Sequence, residues 1–292
     1  MLHIENMSDI HIVRNHLLTS RHDAKPFGVD WFFKPDGQAK PLVVFVHGFN
    51  AFKDWGHFNL IAEAFAQAGF FFVKFNLSHN GTSPEHPTEF VDLEAYGNDK
   101  FSTDLDDIGL VLDFILDPHF VHAAERNVSQ LCLVGHSRGG ALAILKAGEE
   151  ERVKKLATWA SIKSTRHFWT PQNIEEVSNN GVVYYYNGRT RQNLPLYYAY
   201  YEDVLLHPDR LDVEKAIKKL SIPVLLAHGD ADESIPIAFM HRLQEWQPRA
   251  ETLVVAGAGH TFGAYHPFPA SELPPPARLL LDKTVAFLGA SF

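Results

Sequence analysis

Residues 131–147, LCLVGHSRGGALAILKA, limit the possible folds more than any other stretch of the chain. Leu131, Cys132, Leu133 and Val134 form an apolar run of strand length. Gly135-His136-Ser137-Arg138-Gly139-Gly140 follows, and residues 141–147 are then rich in good helix formers, with Gly148 placed as a stop. Strand, sharp turn and helix in succession is the context in which G-x-S-x-G becomes a nucleophile elbow. Such a turn forces its central residue into a strained backbone conformation. Small residues two positions to either side let strand and helix pack closely, and Gly135 and Gly139 stand there around Ser137. The serine hydroxyl would project from the carboxyl edge of a sheet, beside a helix N-terminus that favours negative charge. A glycine-rich turn that merely joins two elements gives the same letters, so the partners of Ser137 decide between the readings.

The chain around this stretch alternates in character. Residues 10–13 and 27–33 read as short strands, and Pro35-Asp36-Gly37 as a turn. Residues 41–46, PLVVFV, have the composition of a strand buried on both faces of a parallel sheet, ending in His47-Gly48-Phe49-Asn50. Residues 54–68 show helical spacing, with Phe58, Ile61, Ala62 and Phe65 on one face and Gly69 as terminator. A strand is expected at 70–75, a polar loop at 76–87, a helix at 103–116 and a strand at 153–159. Strands alternating with helices from 41 to 160 mean βαβ units and a mostly parallel sheet with helices on both faces. Sites in such sheets form outside the carboxyl ends of the strands.

Residues 161–220 break the alternation. They are aromatic and irregular, with Val182 to Tyr186, then Asn187-Gly188, then a second aromatic run at 197–201; Asn-Gly between strand-like runs signals a hairpin. We read an inserted cap over the sheet edge, giving a core in two parts, 1–160 and 221–292, around a cap at 161–220. The alternation resumes with a strand at 223–227, a helix at 235–246, a strand at 252–255 and a closing helix at 277–287, for which Pro274-Pro275-Pro276 is a rigid lead-in. The 292 residues suffice for a sizeable core. A formal net charge of −9 argues against a nucleic-acid partner. The single cysteine, Cys132, excludes an internal disulfide and reads as a buried, inert thiol. The opening residues, MLHIENMSDIHIVRNH, lack an apolar core of signal-peptide length, and no run reaches the ~18 apolar residues of a membrane span. The expectation is a soluble, cytoplasmic protein with no membrane partner; oligomeric state stays open.

A serine hydroxyl is a weak nucleophile at neutral pH and needs a base, which needs an orienting carboxylate. Asp232 lies just past the strand at 223–227, and His260 just past that at 252–255. The order Ser137, Asp232, His260 is that of the α/β-hydrolase triad. His47-Gly48-Phe49, Gly135-His136-Ser137-Arg138-Gly139-Gly140, His228-Gly229-Asp230-Ala231-Asp232 and Gly259-His260, in order and each at a strand end, together resemble the α/β-hydrolase family. The subgroups they look most like are the cinnamoyl/feruloyl-esterase-like and serine-aminopeptidase-like hydrolases. The resemblance covers nearly the whole chain. It implies the α/β-hydrolase fold, a mostly parallel central sheet with helices on both faces and an inserted cap. It also implies that the acid is Asp232, with Asp230 as runner-up.

The backbone N–H after the nucleophile, that of Arg138, is one oxyanion donor; by resemblance the other is that of Phe49. The Arg138 side chain then reads as a surface or salt-bridge residue, and His47 and His136 as supports for their loops. Residues 76–83, NLSHNGTS, depart from the Asp-x-x-Gly-x-Gly-x-Ser of many relatives, which weakens any transfer of substrate preference. Among the 17 histidines, His119 and His122 could share a helix face, but no third metal ligand has a recognisable spacing. No metal and no cofactor is expected. The reading is a serine hydrolase of carboxylic esters acting on a small-molecule ester through an acyl-enzyme. The rivals are an amidase or aminopeptidase, for which Glu175, Glu176, Glu202 or Asp203 could hold a substrate amine, and a catalytically silent binding protein.

Overall fold

The computed structural model describes residues 10–290. Residues 1–9 and 291–292 lie outside the described residues, and with them most of the opening stretch read above for a signal segment. Eight strands form one sheet in the order β1-β2-β4-β3-β5-β6-β9-β10. These are β1 (His11–Thr19), β2 (Pro26–Phe33), β3 (Lys40–Val46), β4 (Phe71–Phe75), β5 (Arg126–His136), β6 (Val153–Trp159), β9 (Val224–Gly229) and β10 (Glu251–Val255). From β4 to β10 every neighbour is parallel, while β1 and β2 add an antiparallel edge.

The continuous apolar runs of β3 and β5 follow from burial on both faces. Leu42, Val44, Val46, Leu131 and Leu133 point to one side. Val43, Phe45, Cys132 and Val134 point to the other. The first side is covered by α3 (Phe101–Leu116), α4 (Arg138–Glu149), α7 (Val213–Lys219) and α8 (Ala238–Trp246); the second by α1 (Phe58–Gln67) and α9 (Pro275–Gly289). Burial pushes the Cys132 thiol up to about 12, consistent with an inert core residue. Among the described residues no helix is long and apolar enough to cross a membrane.

Several boundaries differ from the sequence reading, each for a local reason. Helix α1 starts at Phe58, not at 54, because Asp54 is drawn into a buried ion cluster with Lys53 and Lys74, and Gly56 takes a left-handed turn at φ +56°. Gly148 does not stop α4 but lies inside it, where a β-carbon would stand 3.2 Å from that of Ala216 in α7. It is a close-approach glycine. Pro275 and Pro276 form the first turn of α9 itself, where a missing N–H costs nothing.

Between β6 and β9 the chain leaves the sheet and builds α5 (Pro171–Asn180), a two-stranded ribbon of β7 (Val182–Asn187) and β8 (Gln192–Tyr197), and α6 (Tyr198–Leu206); α7 then packs back on α4. The hairpin is there, but its second strand begins at Gln192 and the 198–201 aromatics belong to α6. Asn187 closes the loop with its side chain, accepting from the amides of Arg189 and Thr190. Tyr184 and Tyr186 face solvent, whereas Tyr200 is fully buried.

Candidate active site

The elbow forms at the end of β5. Ser137 has φ +58° and ψ −121°, a conformation costly for a residue with a β-carbon. Around it there is no room for side chains: a β-carbon on Gly135 would stand 2.1 Å from the Gly139 carbonyl oxygen, and one on Gly139 2.2 Å from that of Val46. The turn is pinned by Ser137 N–H donating to the Trp159 carbonyl (2.8 Å) and by the Ser137 carbonyl accepting from Gly140 and Ile162. Strand, strained turn and helix therefore appear as the glycine spacing requires.

Loops from three other strand ends converge on this turn. After β10, the His260 ring lies with Nε2 3.0 Å from Ser137 Oγ and Nδ1 2.8 Å from Asp232 Oδ2. The other oxygen of Asp232, in the loop after β9, accepts from the amides of Ser234 and Ile235. Burial alone would raise this carboxyl. Hydrogen bonds from His228, His260 and the Ile235 amide outweigh it and hold Asp232 well below the usual carboxylate range. Asp230 is exposed, and its Oδ1 accepts from the Gly257 amide, so it shapes the turn and does not reach His260.

The loop after β3 touches the elbow directly, since a β-carbon on Gly48 would be 2.9 Å from that of Ser137. His47 fixes this loop: its Nε2 accepts from the Leu77 amide and its Nδ1 donates to the Gly48 carbonyl. Phe49 follows, its ring half-buried against Tyr96 and Phe168. Arg138 opens α4, so its N–H is one of the first-turn donors that no helical carbonyl can satisfy. His136 donates from Nε2 to the His260 carbonyl (2.9 Å) and so buttresses the histidine loop. Burial, with His260 nearby, drives its pKa down to about 3, keeping it neutral.

The residues matched by a model of the alpha/beta hydrolase family run from 43 to 271 and take in all of these loops. The chain belongs to the alpha/beta hydrolase family. Solved structures agree on the fold. A hypothetical protein of Pseudomonas aeruginosa superposes with a TM-score of 0.72 at 16% identity, covering 98% of this chain and 95% of that one. Est1E of Butyrivibrio proteoclasticus gives 0.65 at 18% identity, covering 93% and 97%. A curated relative from Mycoplasma pneumoniae, with the provisional name esterase/lipase 2, is 28% identical over 141 residues, 48% of this chain. The match spans 44% of that relative's length.

Some site neighbours in this family member were not legible in the sequence. His228 lies near the end of β9, its Nε2 3.2 Å from Asp232 Oδ2 and 2.8 Å from the Ile235 carbonyl. The His-Gly-x-x-Asp spacing was the only signal for it. The Arg138 side chain is not at the surface: it is buried and paired with Asp99 Oδ2 (3.1 Å) and Asp104 Oδ2 (2.5 Å). Burial raises both carboxyls despite the guanidinium, and Asp104 the further. His119 and His122 fall in the loop after α3, and His122 packs instead on His11 and Phe33. Among the described residues no three His, Cys, Asp or Glu side chains gather as a metal site.

Proposed function

We propose that this hydrolase cleaves carboxylic esters, with Ser137 as nucleophile, His260 as general base and acid, Asp232 as the orienting carboxylate, and the amides of Phe49 and Arg138 as oxyanion donors. One observation carries the reading: a serine held at φ +58° whose hydroxyl lies 3.0 Å from an imidazole that is itself 2.8 Å from a buried aspartate. His260 takes the Ser137 proton on Nε2 as Oγ adds to the ester carbonyl. Asp232 stabilises the imidazolium and holds the tautomer that leaves Nε2 free to accept. The carbonyl oxygen gathers charge against the two amides. The imidazolium then gives its proton to the departing alcohol, leaving the acyl group on Ser137. Water loses a proton to His260, adds to the acyl carbonyl, and the acid leaves as the proton returns to Oγ.

Residues 161–220 would serve as the cap over this edge. The ester reading is preferred to the aminopeptidase one because the acidic residues that could hold an amine are otherwise disposed. Asp203 caps α3 by accepting from the amide and hydroxyl of Ser102, and Glu175, Glu176 and Glu202 are exposed. A silent binding protein would have no use for a strained serine aligned with a histidine and an aspartate. The test is turnover of aryl esters of graded acyl length beside aminoacyl anilides, in wild type and Ser137→Ala. Ester turnover lost in the variant supports the proposal; preferential anilide turnover would move the assignment to amides.

A further inference from the structure

An oxyanion donor has to keep its hydrogen free, so it cannot be held in place through its own N–H. The Ser137 backbone is fixed by bonds to Trp159, Gly140 and Ile162. The Arg138 amide shares a rigid peptide plane with the Ser137 carbonyl, and the freedom left to it is held through the rest of its residue. The Arg138 side chain is a strong anchor. The side chain is 2% exposed, and its guanidinium meets carboxylates from the α2–α3 connection, where α2 is Leu93–Gly97, and from the first turn of α3, Asp99 and Asp104 respectively. It lies over the ring of Phe101, 4.4 Å from the centroid, and its Nε–H donates to the Tyr200 hydroxyl at 3.1 Å. Tyr200 belongs to α6, in the segment inserted between β6 and β9, and packs on Phe101 and Trp169. Buried charge clusters of this kind are poor sources of stability, and in some systems they serve to fix a defined geometry.

We propose that Arg138 is a positioning residue: the clasp of Asp99, Asp104 and Tyr200 on its side chain sets where its own backbone amide meets the oxyanion, and ties the inserted segment to the chemistry. The inference rests on the ester-hydrolase reading above. Loss of the Tyr200 hydroxyl leaves the ring packing in place and frees one side of the guanidinium. The amide then moves by a fraction of an ångström, and the cost falls on the transition state, not on substrate binding.

The experiment uses the full chain, a short aryl ester that wild type turns over, and the thionoester of the same acid. An oxyanion hole built for oxygen discriminates against the larger sulfur, so the oxo-to-thiono rate ratio reports its geometry. Tyr200→Phe should lower kcat about tenfold, less than the ~10²–10³ for deleting a donor outright. KM should stay within about twofold, and the oxo-to-thiono ratio should fall with kcat. Asp99→Asn loosens the same guanidinium from the core side and should shift the ratio in the same direction, which covers the case in which Tyr200→Phe fails to fold. Asp203→Ala breaks the other joint between α6 and α3 without touching Arg138; it should cost stability and leave the ratio at the wild-type value. A wild-type ratio in folded Tyr200→Phe or Asp99→Asn, or an equal fall in Asp203→Ala, overturns the inference alone. A wild type that turns over no ester and takes no fluorophosphonate overturns the ester reading, and the inference with it.

Discussion

Asp232→Asn tests the assignment of the acid at a single atom. Asp232 Oδ1 accepts two backbone N–H groups, from Ser234 and Ile235, at 2.9 and 2.8 Å. An asparagine keeps both by placing its carbonyl oxygen there. Its NH₂ then points at His260 Nδ1, where Oδ2 now accepts at 2.8 Å. Two donors cannot face each other, so the imidazole flips its proton to Nε2 and loses the lone pair that should receive the Ser137 proton. In the Ser-His-Asp template this change lowers kcat about 10⁴-fold, or ~5 kcal/mol of transition-state stabilisation. Because the two amide bonds survive, folding should be largely retained. Asp230→Asn keeps its acceptor for the Gly257 amide and has no path to His260, so kcat should stay within about twofold. The assay is kcat and kcat/KM on one activated ester, with thermal midpoints measured beside it. An equal loss in both variants, or a larger one in Asp230→Asn, refutes the assignment.

The elbow itself predicts a trade of stability for function. Ser137→Gly places at φ +58° the one residue that tolerates it, so unfolding should become harder by up to about 1 kcal/mol while turnover disappears; a lower thermal midpoint would argue against strain. Gly135→Ala drives a β-carbon to 2.1 Å from a backbone oxygen that cannot rotate away, which should cost about 3 kcal/mol or more and abolish activity, read by urea unfolding and ester turnover. The buried imidazoles of His47 and His57 are held neutral down to about 4, and that of His136 to about 3, all by burial first. Their folded values lie below the unfolded 6.5, so the stability they allow is fully present above that pH and is lost as the pH falls toward 4 and then 3. Stability against urea should therefore fall from pH 6.5 to 4, offset in part by Asp99 and Asp104, whose raised pKa values act in the opposite sense. His57→Phe should flatten the slope by about one proton; an unchanged slope would contradict the buried neutral state.

What the sequence disclosed follows the strength of local signals. The parallel strands could be read because burial on both faces leaves runs such as residues 41–46 with no polar interruption. The elbow was legible because Gly135 is fixed by contact with Gly139 and Gly140 inside the same turn, although the reason for Gly139, the carbonyl of Val46, lies in β3. Strand β1 was not, beyond a hint at 10–13: its residues HIVRNHLLT lie on a solvent-exposed edge, with a bulge at Val13–His16 and Asn15 at φ +54°, so neither alternation nor hydrophobicity marks it. Gly148 was mistaken for a stop because its reason, the approach of Ala216, lies 68 residues further along. The burial of Arg138 was hidden for the same reason: Asp99, Asp104 and Tyr200 converge on it from separate segments, and none carries a local motif.

The most direct test of the central claim is fluorophosphonate labelling of the intact protein, read by mass and set beside Ser137→Ala. If Ser137 is activated by His260 and Asp232, wild type gains a single phosphonyl adduct, peptide mapping puts it on Ser137, and the variant gains none. A folded wild type without the adduct, or an adduct that persists in Ser137→Ala, would contradict the account.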